Sequence, residues 1–137
     1  GVFVHRGQHA VFSPDNKGDI SNPGFIVGND AVAVIDTGGS PVVGRALKAA
    51  VTAVTDKPVR YVINTHMHPD HVFGNAVFES EGTTFAGHHK LERGLLARAE
   101  RYLTINKGLL GADTFEGTKI VAPTLKIEGT QSLDLGG

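Results

Sequence analysis

The sequence predicts an α/β domain, in which helices connect the strands of a sheet and cover it. Two runs of apolar and mostly β-branched residues, at positions 31–35 and 59–63, are typical of buried strands. The segment between them carries apolar residues three and four positions apart, as an amphipathic helix does. Strand, helix and strand in this order are the basic unit of an α/β layer.

Composition limits the classes of partner. The 137 residues correspond to one ordinary domain, and thirteen basic residues against fourteen acidic ones give a net charge of −1. A net charge this close to zero does not indicate the basic surface that binding of nucleic acids requires. No apolar run approaches the roughly 18 residues of a membrane-spanning helix. Cysteine is absent, which excludes disulfides and thiolate metal ligands. We therefore expect neither a nucleic acid nor a membrane as partner.

The first third of the chain predicts a strand and a hairpin. Residues 2–4 form a short apolar run, and residues 13–18 (SPDNKG) have the composition of a turn. Two further apolar runs, at 25–27 and 31–35, are separated only by Gly28-Asn29-Asp30. Short apolar runs joined by such residues predict a β-hairpin.

The clearest helix boundary lies at Ser40-Pro41. Serine suits the N-cap because its hydroxyl accepts a backbone N–H, and proline suits the first helical position because it lacks an N–H. The helix is expected to end within residues 55–58 (TDKP), before the strand at 59–63. Five apolar residues are predicted to share its buried face: Val43, Leu47, Ala50, Val51 and Val54.

The second half predicts two further strands and one long helix. Residues 83–86 are expected to form a short strand. The apolar spacing from Leu91 to Leu103 predicts an amphipathic helix over residues 88–107. Another strand is expected over 120–127, with a kink at Pro123.

The final residues predict an interrupted hairpin. Residues 132–135 (SLDL) alternate polar and apolar before Gly136-Gly137, as a strand followed by a hairpin turn does. No second strand follows the two glycines. We therefore expect residues 1–137 to be truncated at the carboxyl end.

The stretch "NTHMHPDHVFGN", residues 64–75, predicts a metal site directly after a buried strand. Residues two apart in extended backbone project to the same side, so His66 and His68 can converge on one ion. Asp70 continues this alternation, and His71 can face a second ion. Nitrogen and oxygen ligands without sulfur suit zinc, and also iron or manganese. The alternative, a polar surface loop, is a poor explanation for three histidines and an aspartate in six residues.

The pattern His66-x-His68-x-Asp70-His71 resembles the metal-binding signature of the metallo-β-lactamase fold superfamily of hydrolases. The runs "VAVIDTGGS", "VRYVINTHMHPDHVFGN", "FAGHHKLERGL" and "SLDLGG" extend the resemblance along the chain. It implies half of the four-layer αββα fold, with a mixed sheet and helices on one side, and residues 1–137 as the amino-terminal half. The opening "GVFVHRGQHAVFS" most resembles the zinc metallohydrolases associated with quinoprotein relay systems, which implies a periplasmic location.

The resemblance also implies residue roles. His66 and His68 would bind a first metal ion, and Asp70 and His71 a second. Asp70 would also be the catalytic residue that orients or deprotonates a water bound to the metal. Asp36 would hold the site from outside by accepting a histidine N–H.

Three further ligands of the family pattern are missing from this chain. The other polar candidates are interpreted as non-ligands: His5, His9, His88, His89, Asp113 and Asp134.

Two functions follow from these expectations. The first is a metal-dependent hydrolase, with zinc as the expected cofactor (one or two ions) and a small molecule as substrate; β-lactams, thioesters and phosphoesters stay open. The second is a non-catalytic metal-binding fragment. Half of a two-sheet fold leaves an apolar sheet face uncovered, so we expect self-association to a homodimer through that face.

Overall fold

Six strands form one mixed sheet, and their spatial order follows their order in the chain. The computed structural model describes residues 1–137. The first three strands pair antiparallel, and the third to the sixth pair parallel. The strands are β1 (Val2–Val4), β2 (Gly24–Val27), β3 (Val32–Ile35), β4 (Val59–Asn64), β5 (Thr84–His88) and β6 (Leu125–Ile127). The predicted α/β class and the mixed sheet are therefore confirmed.

The helices lie in the connections between the parallel strands. They are α1 (Pro41–Val54), α2 (Pro69–Val72), a 3-10 helix (Asn75–Phe78), α3 (Leu91–Leu96), α4 (Ala99–Leu110) and α5 (Ala112–Phe115). None of them has both the length and the apolar character that crossing a membrane requires.

Helix α1 begins where the sequence predicts and packs on one face of the sheet. The Ser40 hydroxyl accepts the N–H of Val43 at 3.3 Å, and Pro41 is the first helical residue. Side chains from α1, the 3-10 helix and the strands form one core cluster: Phe25, Val32, Val34, Leu47, Val51, Val62, Phe78 and Phe85. A second, smaller cluster joins α2 and α3 through Val72, Phe73, Leu91 and Leu95.

The predicted buried face of α1 is wrong at two positions. Ala50 and Val54 are exposed, whereas Gly44 is buried. Gly44 packs so close to Gly74 that a Cβ on it would lie 2.9 Å from the Gly74 carbonyl oxygen. This contact turns the buried face toward Gly44, so Ala50 falls at its border, and Val54 is the last residue of the helix.

The helix expected over residues 88–107 is two helices. Residue 88 instead ends β5, because His88 pairs with Ile127 of β6. The chain turns at residues 97–98, between α3 and α4. This turn lets Tyr102 and Leu103 pack against the second cluster.

The residues that follow the histidine motif form two short helical segments rather than one continuous helix. The Gly74 N–H donates to the Gly38 carbonyl at 3.1 Å rather than to the carbonyl of Asp70, which accepts the Ser21 hydroxyl instead. These two tertiary hydrogen bonds replace the helical one, so α2 ends at Val72 and a 3-10 helix follows.

The strands expected near the carboxyl end are shorter or missing. Only Leu125–Ile127 pairs within the expected 120–127 run, and residues 132–135 form no strand. The latter segment lies instead against the β2–β3 turn and β4. The Leu135 carbonyl accepts the Asp30 N–H at 2.8 Å, and the Asp134 carbonyl accepts the Arg60 guanidinium at 2.9 Å.

The sheet face opposite the main core cluster carries apolar side chains. Strand alternation places Ile26, Ala33, Tyr61 and Ile63 on that face, since they pair in register. Ile26, Tyr61 and Ile63 are only partly buried. At the sheet edge, Val2 is 71% exposed.

Leu47→Ala tests the core contact of α1. Leu47 is 6% exposed, so its truncation should lower the free energy of unfolding by about 2–5 kcal/mol, through lost burial and a residual cavity. Leu96→Ala is the matched control, because Leu96 is a helical leucine that is 55% exposed and should change stability by less than about 0.5 kcal/mol. Denaturant unfolding measures both, and equal losses would contradict this packing.

Candidate metal centre

The motif residues lie beyond the carboxyl ends of two adjacent parallel strands. β3 and β4 pair at Ile35 and Ile63, so the loops that follow them meet at one edge of the sheet. His68 has an extended backbone (φ −68°, ψ 147°) and precedes Pro69, the first residue of α2. A residue before proline avoids the helical conformation, which fixes the start of α2 here. Ligands commonly bind at such a sheet edge.

Asp36 is a buried carboxylate that joins the two loops. It is 5% exposed, and its φ of +55° is left-handed, a conformation that aspartate tolerates better than most residues. Its Oδ1 accepts the N–H of Thr65 at 2.8 Å. Its Oδ2 accepts the Thr65 hydroxyl and the Nδ1–H of His71, each at 2.7 Å. Three donors therefore satisfy this carboxylate and fix the position of His71.

His71 lies between two carboxylates. Its Nδ1 faces Asp36, and its Nε2 lies 3.1 Å from Asp70 Oδ2. Burial alone lowers the pKa of His71, but the hydrogen bonds and charges of Asp36 and Asp70 outweigh burial and raise this pKa to about 9. In the metal-free protein at neutral pH, His71 is therefore a cation that donates from Nδ1 to Asp36 and forms an ion pair with Asp70 through Nε2.

Asp70 is ionised and partly open to solvent. Burial raises its pKa, while the hydrogen bond and charge of His71 lower it, and the net effect is a lowered pKa. Its side chain is 25% exposed. The Ser21 hydroxyl donates to its backbone carbonyl at 2.5 Å and so ties α2 to the amino-terminal segment.

His66 and His68 lie next to His71. The ring centre of His66 is 4.8 Å from that of His68 and 4.0 Å from that of His71. Because the Thr65 hydroxyl donates to Asp36, it can only accept from the Nδ1–H of His66, at 2.9 Å. This leaves the Nε2 lone pair of His66 available. Burial, followed by the charges of His71 and His68, lowers the pKa of His66.

One pair of donor atoms has a spacing that fits zinc. Two ligands of tetrahedral zinc, with bonds of about 2.0–2.1 Å, lie about 3.3 Å apart, close to the separation of His71 Nε2 and Asp70 Oδ2. The hydrogen bond from His71 Nδ1 to a carboxylate is also the usual support of a metal-bound histidine. No three histidine, aspartate or glutamate side chains are arranged so that they could hold one ion. The structure therefore offers one pair of donors at a spacing that zinc allows, and no complete site.

Three of the six candidates interpreted as non-ligands, His5, His88 and Asp134, have contacts outside the motif. His5 Nε2 contacts Asp19 Oδ1 at 2.7 Å, and the His88 ring packs on His89 with centres 4.3 Å apart. Asp134 Oδ1 accepts the N–H of Gly136, and this bond lowers the pKa of Asp134.

Sequence reasoning missed Thr65, which links Asp36 to His66, and the buried residues behind the motif. These are Thr37, Asn64 and Asn75, and their only sequence signal is a polar side chain at the end of an apolar run.

Asp36→Asn should lower the pKa of His71 in the metal-free chain. Asparagine also tolerates a positive φ but carries no charge, so the His71 pKa should fall from about 9 toward 6.5. The raised pKa stabilises the folded state fully below about pH 6.5, and this stabilisation is lost as the pH rises through about 9. Histidine-ring NMR titration measures the pKa, and denaturant unfolding across this pH range measures the stability.

Asp19→Asn is the matched control for that experiment, because it breaks a different aspartate–histidine contact, with His5. It should leave the His71 pKa unchanged. An identical His71 pKa in wild type and Asp36→Asn would show that Asp36 does not govern this ring.

Comparison with known proteins identifies the family. The family model described as "Metallo-beta-lactamase superfamily" matches residues 16–136. The linear primary-alkylsulfatase of Pseudomonas sp. (strain ATCC 19151) is 34% identical over 58 residues, which are 42% of this chain and 11% of that protein.

Solved structures share the fold. The sec-alkylsulfatase Pisa1 from Pseudomonas sp. superposes with a TM-score of 0.61 at 19% identity, over 79% of this chain and 22% of Pisa1. The metallo-β-lactamase FIM-1 from Pseudomonas aeruginosa, in its mono-zinc form, gives a TM-score of 0.56 at 22% identity, over 71% of this chain and 42% of FIM-1. Identities this low establish the fold alone.

The chain thus spans less than half the length of these relatives. The superfamily includes hydrolases such as sulfatases and β-lactamases. The match to its model covers nearly the whole chain and confirms the resemblance noted from the motif, while the closer likeness to the quinoprotein relay subfamily stays a prediction. This protein belongs to the metallo-β-lactamase superfamily.

Proposed function

We propose that this chain carries part of the active site of a metal-dependent, zinc-using hydrolase. His66 and His68 would hold a first ion, and Asp70 and His71 a second. The observation that carries the proposal is the position of His71 between two carboxylates, hydrogen-bonded to Asp36 through Nδ1 at 2.7 Å and 3.1 Å from Asp70 Oδ2 through Nε2. The nitrogen and oxygen donors support zinc, and they also suit iron or manganese.

Each residue has a separate task in this proposal. Asp36 fixes the ring of His71 through Nδ1, so that Nε2 points toward Asp70. Thr65 does the same for His66, whose lowered pKa keeps the ring neutral and able to bind a cation. Asp70 is ionised, so it can orient a water molecule or accept its proton.

Zinc held by these residues would supply a bound water of strongly lowered pKa and would polarise the bond to be hydrolysed. The substrate we expect is a small molecule. The periplasm is the location we propose, on the subfamily resemblance alone.

A second function is a non-catalytic metal-binding protein that self-associates. Two observations favour it. The donors form pairs, whereas catalytic zinc usually has three protein ligands. The sheet face with Ile26, Tyr61 and Ile63 is apolar and only partly buried, which suits a homodimer contact.

Zinc titration of histidine variants tests the metal site. His66→Ala and His68→Ala should each weaken zinc binding by tenfold or more, because each removes one of only two donors for its ion (about 1.4 kcal/mol per tenfold). His9→Ala is the matched control, since this exposed histidine lies in the amino-terminal segment. Isothermal titration calorimetry measures affinity and stoichiometry. If both motif variants bind zinc with the same affinity and stoichiometry as the control, the proposal that His66 and His68 bind zinc is wrong.

A hydrolysis panel separates the two functions. The zinc-loaded chain is assayed against a β-lactam, a thioester, a phosphoester and an alkyl sulfate, with and without chelator. The hydrolase proposal expects turnover that is lost on chelation and in Asp70→Asn. Zinc binding with no turnover, together with a dimeric mass by light scattering, would favour the second function. A chain that does not bind zinc contradicts both.

A further inference from the structure

Behind the motif lies a cluster of three buried polar side chains that the proposed hydrolytic site does not use. Thr37, Asn64 and Asn75 are 0%, 2% and 0% exposed. They come from the loop after β3, the last position of β4 and the start of the 3-10 helix. Buried polar groups are nearly always hydrogen-bonded, so their partners indicate what holds them there.

The Asn75 amide uses all of its hydrogen-bonding capacity. Its Oδ1 accepts the Thr37 hydroxyl at 2.8 Å and the Asn64 Nδ2 at 3.1 Å. Its Nδ2 donates to Asn64 Oδ1 at 2.8 Å and to the Val121 carbonyl at 3.2 Å. A fully satisfied amide of this kind fixes the orientation of every group it touches.

The cluster reaches the backbone carbonyl of His71. The Thr37 N–H donates to this carbonyl at 3.0 Å, and Asn64 Nδ2 lies 3.4 Å from it. The Thr37 hydroxyl is also 3.3 Å away, but its single proton is used in the shorter bond to Asn75. The Thr37 N–H and the Asn64 side chain are therefore the donors that fix the His71 carbonyl.

His71 is thus fixed at both ends by two pairs of consecutive residues. Asp36 holds the ring, and its neighbour Thr37 holds the carbonyl. In the second loop, Thr65 bonds to Asp36 while its neighbour Asn64 contacts the His71 carbonyl.

We infer that Thr37, Asn64 and Asn75 are positioning residues for the metal site. They fix the backbone at His71, which sets the place of the His71 and Asp70 side chains relative to Asp36. Through the Val121 carbonyl, Asn75 also couples this position to the segment before β6. The inference rests on the proposed function only in that the positioned groups bind zinc.

Asn75→Ala tests the inference with two readouts. In the metal-free chain, the His71 Nδ1–H that donates to Asp36 should exchange with water at least tenfold faster, as measured by NMR. Zinc affinity, measured by calorimetry, should fall about tenfold, the lower end of the usual effect of supporting residues around a metal. Asn106→Ala is the matched control, because Asn106 is also a buried asparagine (6% exposed) and bonds only within α4, to the Tyr102 carbonyl.

A purely structural role predicts that both variants lose stability and leave both readouts alone. Equal proton exchange and equal zinc affinity in Asn75→Ala and Asn106→Ala would therefore overturn the inference. If Asn75→Ala does not fold, Thr37→Val and Thr37→Ser decide, since only serine keeps the hydroxyl that bonds to Asn75. Faster exchange of the His71 Nδ1–H in Thr37→Val and a wild-type exchange rate in Thr37→Ser support positioning. Equal exchange rates in the two variants overturn it. If wild type binds no zinc, the proposed function fails, and the proton exchange alone tests the inference.

Discussion

The geometry of the candidate metal centre depends on one buried carboxylate, that of Asp36. An ionised group at 5% exposure is costly unless donors surround it, and here Thr65 and His71 supply three. The same bonds orient the rings of His71 and His66, because the Thr65 hydroxyl that donates to Asp36 also accepts the Nδ1–H of His66. The requirement to satisfy one charge thus places side chains from three separate segments at a common point.

Asp36 can act in this way because the sheet brings its partners within reach. β3 and β4 run parallel and end at the same edge, and Asp36 adopts a left-handed conformation directly after β3. Helix α2 is held against that edge by close backbone packing, since a Cβ at Gly74 would lie 2.1 Å from the Thr37 carbonyl oxygen. A larger residue at position 74 would push α2, and with it His71, away from Asp36.

The sequence predicted those elements whose signals come from residues that are neighbours in the chain. The cap at Ser40-Pro41, the hairpin around Gly28-Asn29-Asp30 and the H-x-H-x-D-H spacing all depend on neighbouring residues, and the cap and the hairpin lie where expected. Tertiary contacts decided the rest. The Gly74 N–H donates to the Gly38 carbonyl rather than within its helix, and the SLDL segment accepts hydrogen bonds from the Asp30 N–H and the Arg60 side chain rather than forming a strand.

The same division between local signals and tertiary contacts applies to the candidate site. The four motif residues and Asp36 follow from the sequence, whereas Thr65, Asn64 and Asn75 do not, because their roles arise only from pairing between distant segments. Nothing in a single asparagine distinguishes a loop residue from one that saturates a buried network.

A crystal of the zinc-soaked chain, measured on both sides of the zinc absorption edge, would locate the ion relative to Asp36 and His71. Anomalous difference maps locate the metal without reference to any assumed ligand. We expect a zinc peak about 2.0–2.2 Å from His71 Nε2 and Asp70 Oδ2, with Asp36 still bonded to His71 Nδ1. No zinc at this pair, or zinc bound to His71 with Asp36 turned away, would show that Asp36 does not position a metal ligand.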